Sequence, residues 1–213
     1  MVQTIPARDI SLYELEEKFG LQLATDTNFF PEWTEIPILT DGEQQAIARV
    51  KSNYLNLSKH RLMSEEVVKM VVLSPLLDLA GFYQLPFEIE TDTSVEISAE
   101  DESFIVKGNI DVLVIQKRFW VLVIESKSSK FDVMTALHQA LAYMLDRPNP
   151  EQPTFGLLIN SREFVFIKLI QQQHPWYARS DALSIERDSE LYQVLSILKR
   201  FGELIVMGYA PLR

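Results

Sequence analysis

The spacing of apolar positions changes several times along the chain. In "SLYELEEKFG", Leu12, Leu15 and Phe19 fall at helical intervals and Gly20 supplies a stop. "TDTNFFPEWTEIP" mixes turn formers with aromatics and is expected as a loop. "DGEQQAIARVKSNYLNLSKHR" reads as a second helix starting near Asp41. "SEEVVKMVVLSPLLDLAGF" reads as a third, with Ser64 as N-cap and Gly81 as its end. Glu65 and Glu66 sit in its first turn, where the helix dipole favours acids. Pro75 within this run predicts a kink or a restart.

After Gly81 the period shortens to two. Phe87 to Ile97 alternates apolar and polar, the mark of a strand with one solvated face. "SFIVKGNIDVLVIQ" and "FWVLVIESK" are almost continuously apolar and β-branched, as in strands buried on both faces. "FDVMTALHQALAYMLD" returns to helical spacing, "TFGLLIN" and "EFVFIKLI" are two further strands, and "DSELYQVLSILKRFGELIV" is a final amphipathic helix. "QQQHPW" is expected as an exposed loop. The order predicts an α/β (α+β) domain with a mixed sheet covered by helices.

Composition narrows the setting. The chain has 213 residues, a length that favours one domain. It has no cysteine, which excludes disulfides and thiolate zinc sites and suggests a reducing compartment. The opening residues lack the charged-then-apolar pattern of a signal peptide, and no apolar run reaches the roughly 20 residues of a membrane span. The expectation is a soluble, cytoplasmic protein without a membrane partner. The net charge of −10 argues against tight non-specific binding to nucleic acid, yet a carboxylate-rich metal site is itself acidic.

Three charges interrupt the two most apolar strands. Glu125 and Lys127 are two apart and point to one face of their strand, and Ser126 points to the other. The short turn "QKRF" makes a hairpin with the preceding strand, which brings Asp111 beside Glu125 if the register suits. Buried carboxylates cost several kcal/mol each, and metal coordination is one way to offset that. Oxygen ligands suit Mg2+ or Mn2+. A metal-bound water can be deprotonated to attack a phosphodiester, with Lys127 orienting it.

Asp111 followed by Glu125-Ser126-Lys127 at the end of the next strand resembles the D…(D/E)-x-K motif of the PD-(D/E)XK, restriction-endonuclease-like nucleases. Gln139 and Tyr143, four apart in "HQALAY", resemble the Q-x-x-x-Y motif of the branch that contains the N-terminal nuclease domains of type I restriction enzyme R subunits. "SEEVVKMVVLSPLLDLAGF" resembles the first helix of those domains. The resemblance covers Glu65 to Lys168. It implies a Mg2+- or Mn2+-dependent endonuclease acting on DNA, with restriction-modification subunits as further partners. It also implies Asp111, Glu125, the Ser126 carbonyl and an acid of the upstream helix as metal ligands, Lys127 as the residue that positions the attacking water, and Gln139 and Tyr143 as supports of the site. Glu65 and Glu66 both compete for the upstream acid, and Glu66 is preferred. The implied division is a helical extension over 1–60 and a nuclease domain over 61–213. Two departures stand out: Ile110 replaces the proline before the first acid, and no G-x-x-x-x-G-K-[ST] loop for an ATP-driven translocase occurs. The competing expectation is a non-catalytic interaction module that keeps the fold. RNA is a third, weaker substrate reading.

Outside the motif, His138 is expected at the surface or beside the site, and His60 and His174 have no motif context. Trp33, Trp120 and Trp176 are expected as core or rim residues. Lys117 and Arg118 are expected in a solvated turn, with Lys130, Arg147 and Arg162 as cations that could touch phosphate.

Overall fold

Residues 2–25, 29–99, 104–116, 119–128, 130–148, 150–187 and 189–207 are described in a computed structural model. The architecture is mixed α/β, a large mixed sheet flanked by helices. Its strands are β1 (Gln3–Pro6), β2 (Gln22–Leu23), β3 (Phe87–Ser98), β4 (Phe104–Gln116), β5 (Phe119–Ser126), β6 (Thr154–Ile159), β7 (Glu163–Gln171), β8 (Pro175–Arg179) and β9 (Leu183–Ser184). The order across the sheet is β1-β4-β5-β6-β7-β8-β2, with β3 alongside β4 and β9 alongside β7. β1–β4, β5–β6 and β2–β8 are parallel pairs, and the rest are antiparallel.

Strand β4 organises the site. β3 runs along one edge, from Phe87↔Gln116 to Ser98↔Ile105. The other edge is shared: β5 takes Val112 to Gln116 and β1 takes Phe104 to Lys107. Between them no strand among the described residues pairs with Gly108 to Asp111 on that side, and β4 and β5 part company there. Asp92 stands opposite Asp111 in the antiparallel register and has a φ of 54°. Aspartate tolerates this left-handed conformation better than most side chains do.

The alternation of side chains creates two cores. Val112, Val114, Leu122, Ile124, Phe155, Leu157 and Phe166 face one way. They are covered by α2 (Asp41–Ser58), α3 (Glu65–Val68), α4 (Ser74–Leu79) and α6 (Glu190–Val206). Phe155 and Phe201 stack there with ring centroids 4.0 Å apart. Leu113, Ile115, Val123, Leu158 and Ile167 face the other way, under α1 (Leu12–Phe19) and α5 (Leu137–Leu145). Such two-sided burial, worth about 1.5–3 kcal/mol for each large side chain, is why these strands read as continuous apolar runs.

The helix signals operate as expected at their starts. Ser11 with Glu14, and Thr40 with Glu43, form reciprocal capping boxes. Ser64 caps α3 and Gly20 closes α1 with a φ of 66°. The second helix ends at Ser58, short of Arg61. Pro75 acts one turn earlier than its own position. A π-helical turn, Lys69–Leu73, separates α3 from α4, and the Ser74 N–H reaches back to the Lys69 carbonyl. Proline offers no N–H and crowds the carbonyl four residues before it, so the wider turn accommodates it. No described helix is long and apolar enough to cross a membrane.

Two expectations need correction. Residues 1–60 are not a purely helical extension: β1 and β2 belong to the main sheet, paired with β4 and β8. Their few residues are too short to show a period. "QQQHPW" is only partly a loop, since Pro175 is buried and Trp176 pairs with Gln22 in the β2–β8 ladder.

Candidate active site

Asp111 lies one step beyond the last described β4–β5 pair, Val112↔Ile124, and so comes opposite Glu125. Its Oδ2 accepts the Ser126 backbone N–H at 2.7 Å, which ties the carboxylate across the opening between the strands. Glu125 is fully buried, and neither of its oxygens has a hydrogen-bond partner. Burial pushes its carboxyl up to about 8, the negative charge of Asp111 adds to this, and Lys127 opposes it. Lys127 Nζ is 3.6 Å from Glu125 Oε2. Its backbone N–H is anchored on the Ile159 carbonyl of the neighbouring parallel strand at 2.8 Å.

Helix α5 supplies the supports. Lys127 Nζ donates to Gln139 Oε1 at 3.1 Å, and Gln139 Nε2 donates to the Tyr143 hydroxyl at 3.0 Å. One turn of helix separates Gln139 from Tyr143, so both face the sheet from the same side. Burial raises the Tyr143 hydroxyl to about 12, with the Glu125 charge adding, and it stays protonated. The ring fits because residue 108 is glycine. A Cβ there would lie 2.8 Å from Tyr143 Cε1 and 2.9 Å from the Ala7 Cβ. Asp111, Glu125, Lys127, Gln139 and Tyr143 are thus brought together.

Glu66 is not. It is exposed, and its carboxylate is held by its own backbone N–H and by Ser64 at the helix start. Glu65 is the acid turned to the site, and it arrives through a residue that the motif did not flag. Lys69 Nζ lies 2.9 Å from Glu65 Oε1 and 2.9 Å from Asp111 Oδ1. The correction has a simple cause: Glu65 shares its helix face with Val68, Val72 and Leu76, all fully buried, whereas Met70, on the Glu66 face, is exposed. The i,i+4 spacing of Glu65 and Lys69 was a legible signal of a pair, but nothing in it pointed to Asp111.

The remaining candidates fall elsewhere. His138 Nε2 lies 3.2 Å from the Arg8 carbonyl, beside the N-terminal segment. Arg147 is buried and donates to the Met144 carbonyl at 3.0 Å, so it is not a surface phosphate contact. Trp33 stacks on Phe30 at 4.6 Å and packs edge-on against Phe166. Trp120 packs against the α5-side core, and Trp176 lies in β8. Lys130 and Arg162 line a cleft of about 430 Å³ with Arg61, past the C-terminal ends of β5 and β6. Lys117 and Arg118 lie outside the described residues.

Among the described residues no group of three or more acidic or histidine side chains stands close enough to form a metal cage. The donors nonetheless fit Mg2+ or Mn2+. Glu125, whose two buried oxygens have no hydrogen bond, and the adjoining Asp111 carboxylate could hold such an ion as an oxygen-only pair that leaves most of the coordination shell to water. No family model matches the chain, and no curated protein matches it.

Proposed function

We propose that the protein is a Mg2+- or Mn2+-dependent deoxyribonuclease of restriction-endonuclease-like fold, related to the nuclease domains of type I restriction R subunits. The observation that carries this reading is Glu125: a carboxyl group fully buried with no hydrogen bond to either oxygen, 3.6 Å from the Lys127 ammonium that a glutamine holds in place, and beside a second acid. Burying such a group costs several kcal/mol unless something binds it. Asp111 and Glu125, with the Ser126 carbonyl, would hold the cation. The cation would supply charge neutralisation and a more acidic water. Lys127 would orient that water and stabilise the charge developing on the phosphate. Gln139 fixes the ammonium of Lys127, and Tyr143 fixes Gln139. DNA is the substrate class, and restriction-modification subunits are the proposed source of specificity.

The test is cleavage of plasmid, linear duplex and single-stranded DNA with Mg2+ or Mn2+, wild type beside Lys127→Ala. Metal-dependent cutting that falls by about 10²–10⁴-fold in the variant supports the reading. Equal cutting by both proteins refutes it. A second reading, a non-catalytic interaction module, draws on one observation: an ammonium, that of Lys69, already neutralises Asp111. Absence of cutting on every substrate favours that module.

A further inference from the structure

The cation that touches Asp111 belongs to the protein. An i,i+4 Glu–Lys pair on a helix is ordinarily a weak surface contact. Here the same ammonium also reaches an acid 42 residues away in sequence, and it sits between two carboxylate oxygens at 2.9 Å from each. It is part-buried, with 29% of its side chain exposed, and Asp111 is 17% exposed, so water screens the contact only partly. The second Asp111 oxygen is engaged by the Ser126 N–H. The Lys69 ammonium therefore holds the one Asp111 oxygen that the backbone leaves open. Glu125 lies beyond the hydrogen bonds of Lys69, and the ammonium near it is that of Lys127, at 3.6 Å.

A divalent ion bound by Asp111 and Glu125 would sit within a few ångströms of that ammonium. Two cations at such a distance in a part-buried site repel strongly. We propose, resting on the metal-site reading of Asp111 and Glu125, that Lys69 is a tethered occupant of the cation site. A divalent ion binds only by displacing it from Asp111, and its departure releases Glu65 to join the ligand set. Lys69 stands where α3 passes into the π-helical turn, with its side chain facing β4 rather than lying along the helix surface. The ammonium thus sets a threshold: the site stays neutralised and closed until the divalent ion is abundant enough to compete.

The test is Mn2+ titration of the full chain, followed by the electron paramagnetic resonance signal of the free ion. Wild type is compared with Lys69→Met, Lys69→Gln and Lys69→Arg, with folding checked by circular dichroism. Met and Gln cannot neutralise Asp111, and both should bind Mn2+ at least about tenfold more tightly than wild type. Arg keeps the competitor and should stay near wild type. Adding Asp111→Asn to Lys69→Met should abolish the gain. Unchanged or weaker binding in both neutral variants, with wild type still binding, overturns the tethered occupant and leaves the metal site standing. No binding by any of them at millimolar ion removes the metal site itself, and this proposal with it.

Discussion

Substituting Glu125 by Gln should change how stability depends on pH, with a slope that the structure fixes. The carboxyl sits at about 8 in the fold against an ordinary 4.5, because burial and the Asp111 charge both disfavour ionisation. The folded state therefore holds a proton that the unfolded chain gives up above pH 4.5. The associated stability is fully present below that value and is lost as pH rises towards 8. Across most of this window the loss is about 1.4 kcal/mol per pH unit, so between pH 6 and pH 8 it amounts to roughly 2 kcal/mol. Glu125→Gln keeps the shape and removes the titration. Its amide has unmet hydrogen bonds of its own, so the absolute stability of the variant is a poor guide. The difference between the proteins across pH is not affected by that offset. Urea unfolding of both in EDTA, at pH 6 and pH 8, should show the variant gaining on wild type by roughly 2 kcal/mol at the higher pH. A difference that stays constant with pH would refute the argument, because Glu125 would then be ionised in the fold or exposed.

Three other expectations test neighbouring parts of the structure. Gly108→Ala drives a methyl into Tyr143 and Ala7 and should cost about 1–3 kcal/mol in urea unfolding, whereas Gly42→Ala meets nothing within 4 Å and should stay within about 0.5 kcal/mol. Lys168→Met removes the ammonium 2.6 Å from buried Glu32 and should lower stability by about 3–5 kcal/mol in the same assay, while a change below 1 kcal/mol would place that pair in water. Glu65→Gln should reduce metal-dependent DNA cutting by about 10–100-fold, and Glu66→Gln should leave it unchanged, since only Glu65 faces the site.

The central strands were legible because burial on both faces writes one continuous apolar run, and the charges that broke those runs marked the site. Gln139 and Tyr143 were legible because a helix repeats every turn, and their hydrogen bond follows that spacing. What escaped was decided by tertiary pairing. Lys69 looks like any helical lysine until its chain position is set against β4. Glu65 and Glu66 could not be separated by a 3.6-residue period, because the π turn after Val68 lets Leu73 and Leu77 be buried together with Val72 and Leu76. β1 and β2 have no period to read, and their places depend on partners about a hundred and fifty or more residues away for β2 and about a hundred for β1. Gly108 sat inside a run read as a strand with no sign of its purpose, and its reason is a tyrosine ring from another element.

The way β1 completes β4 has a kinetic consequence. Thr4 pairs with Ile105, so the N-terminal strand docks only after a loop of about a hundred residues has closed. The segment that follows it lays Ala7 against the Gly108–Tyr143 contact and offers the Arg8 carbonyl to His138, next to Gln139. The hairpin carrying Asp111 and Glu125 is local and can form early, but the helix that steadies Lys127 is clamped by the part of the chain that arrives late. A refolding chain would therefore assemble its carboxylates first and acquire an ordered lysine only in its final step.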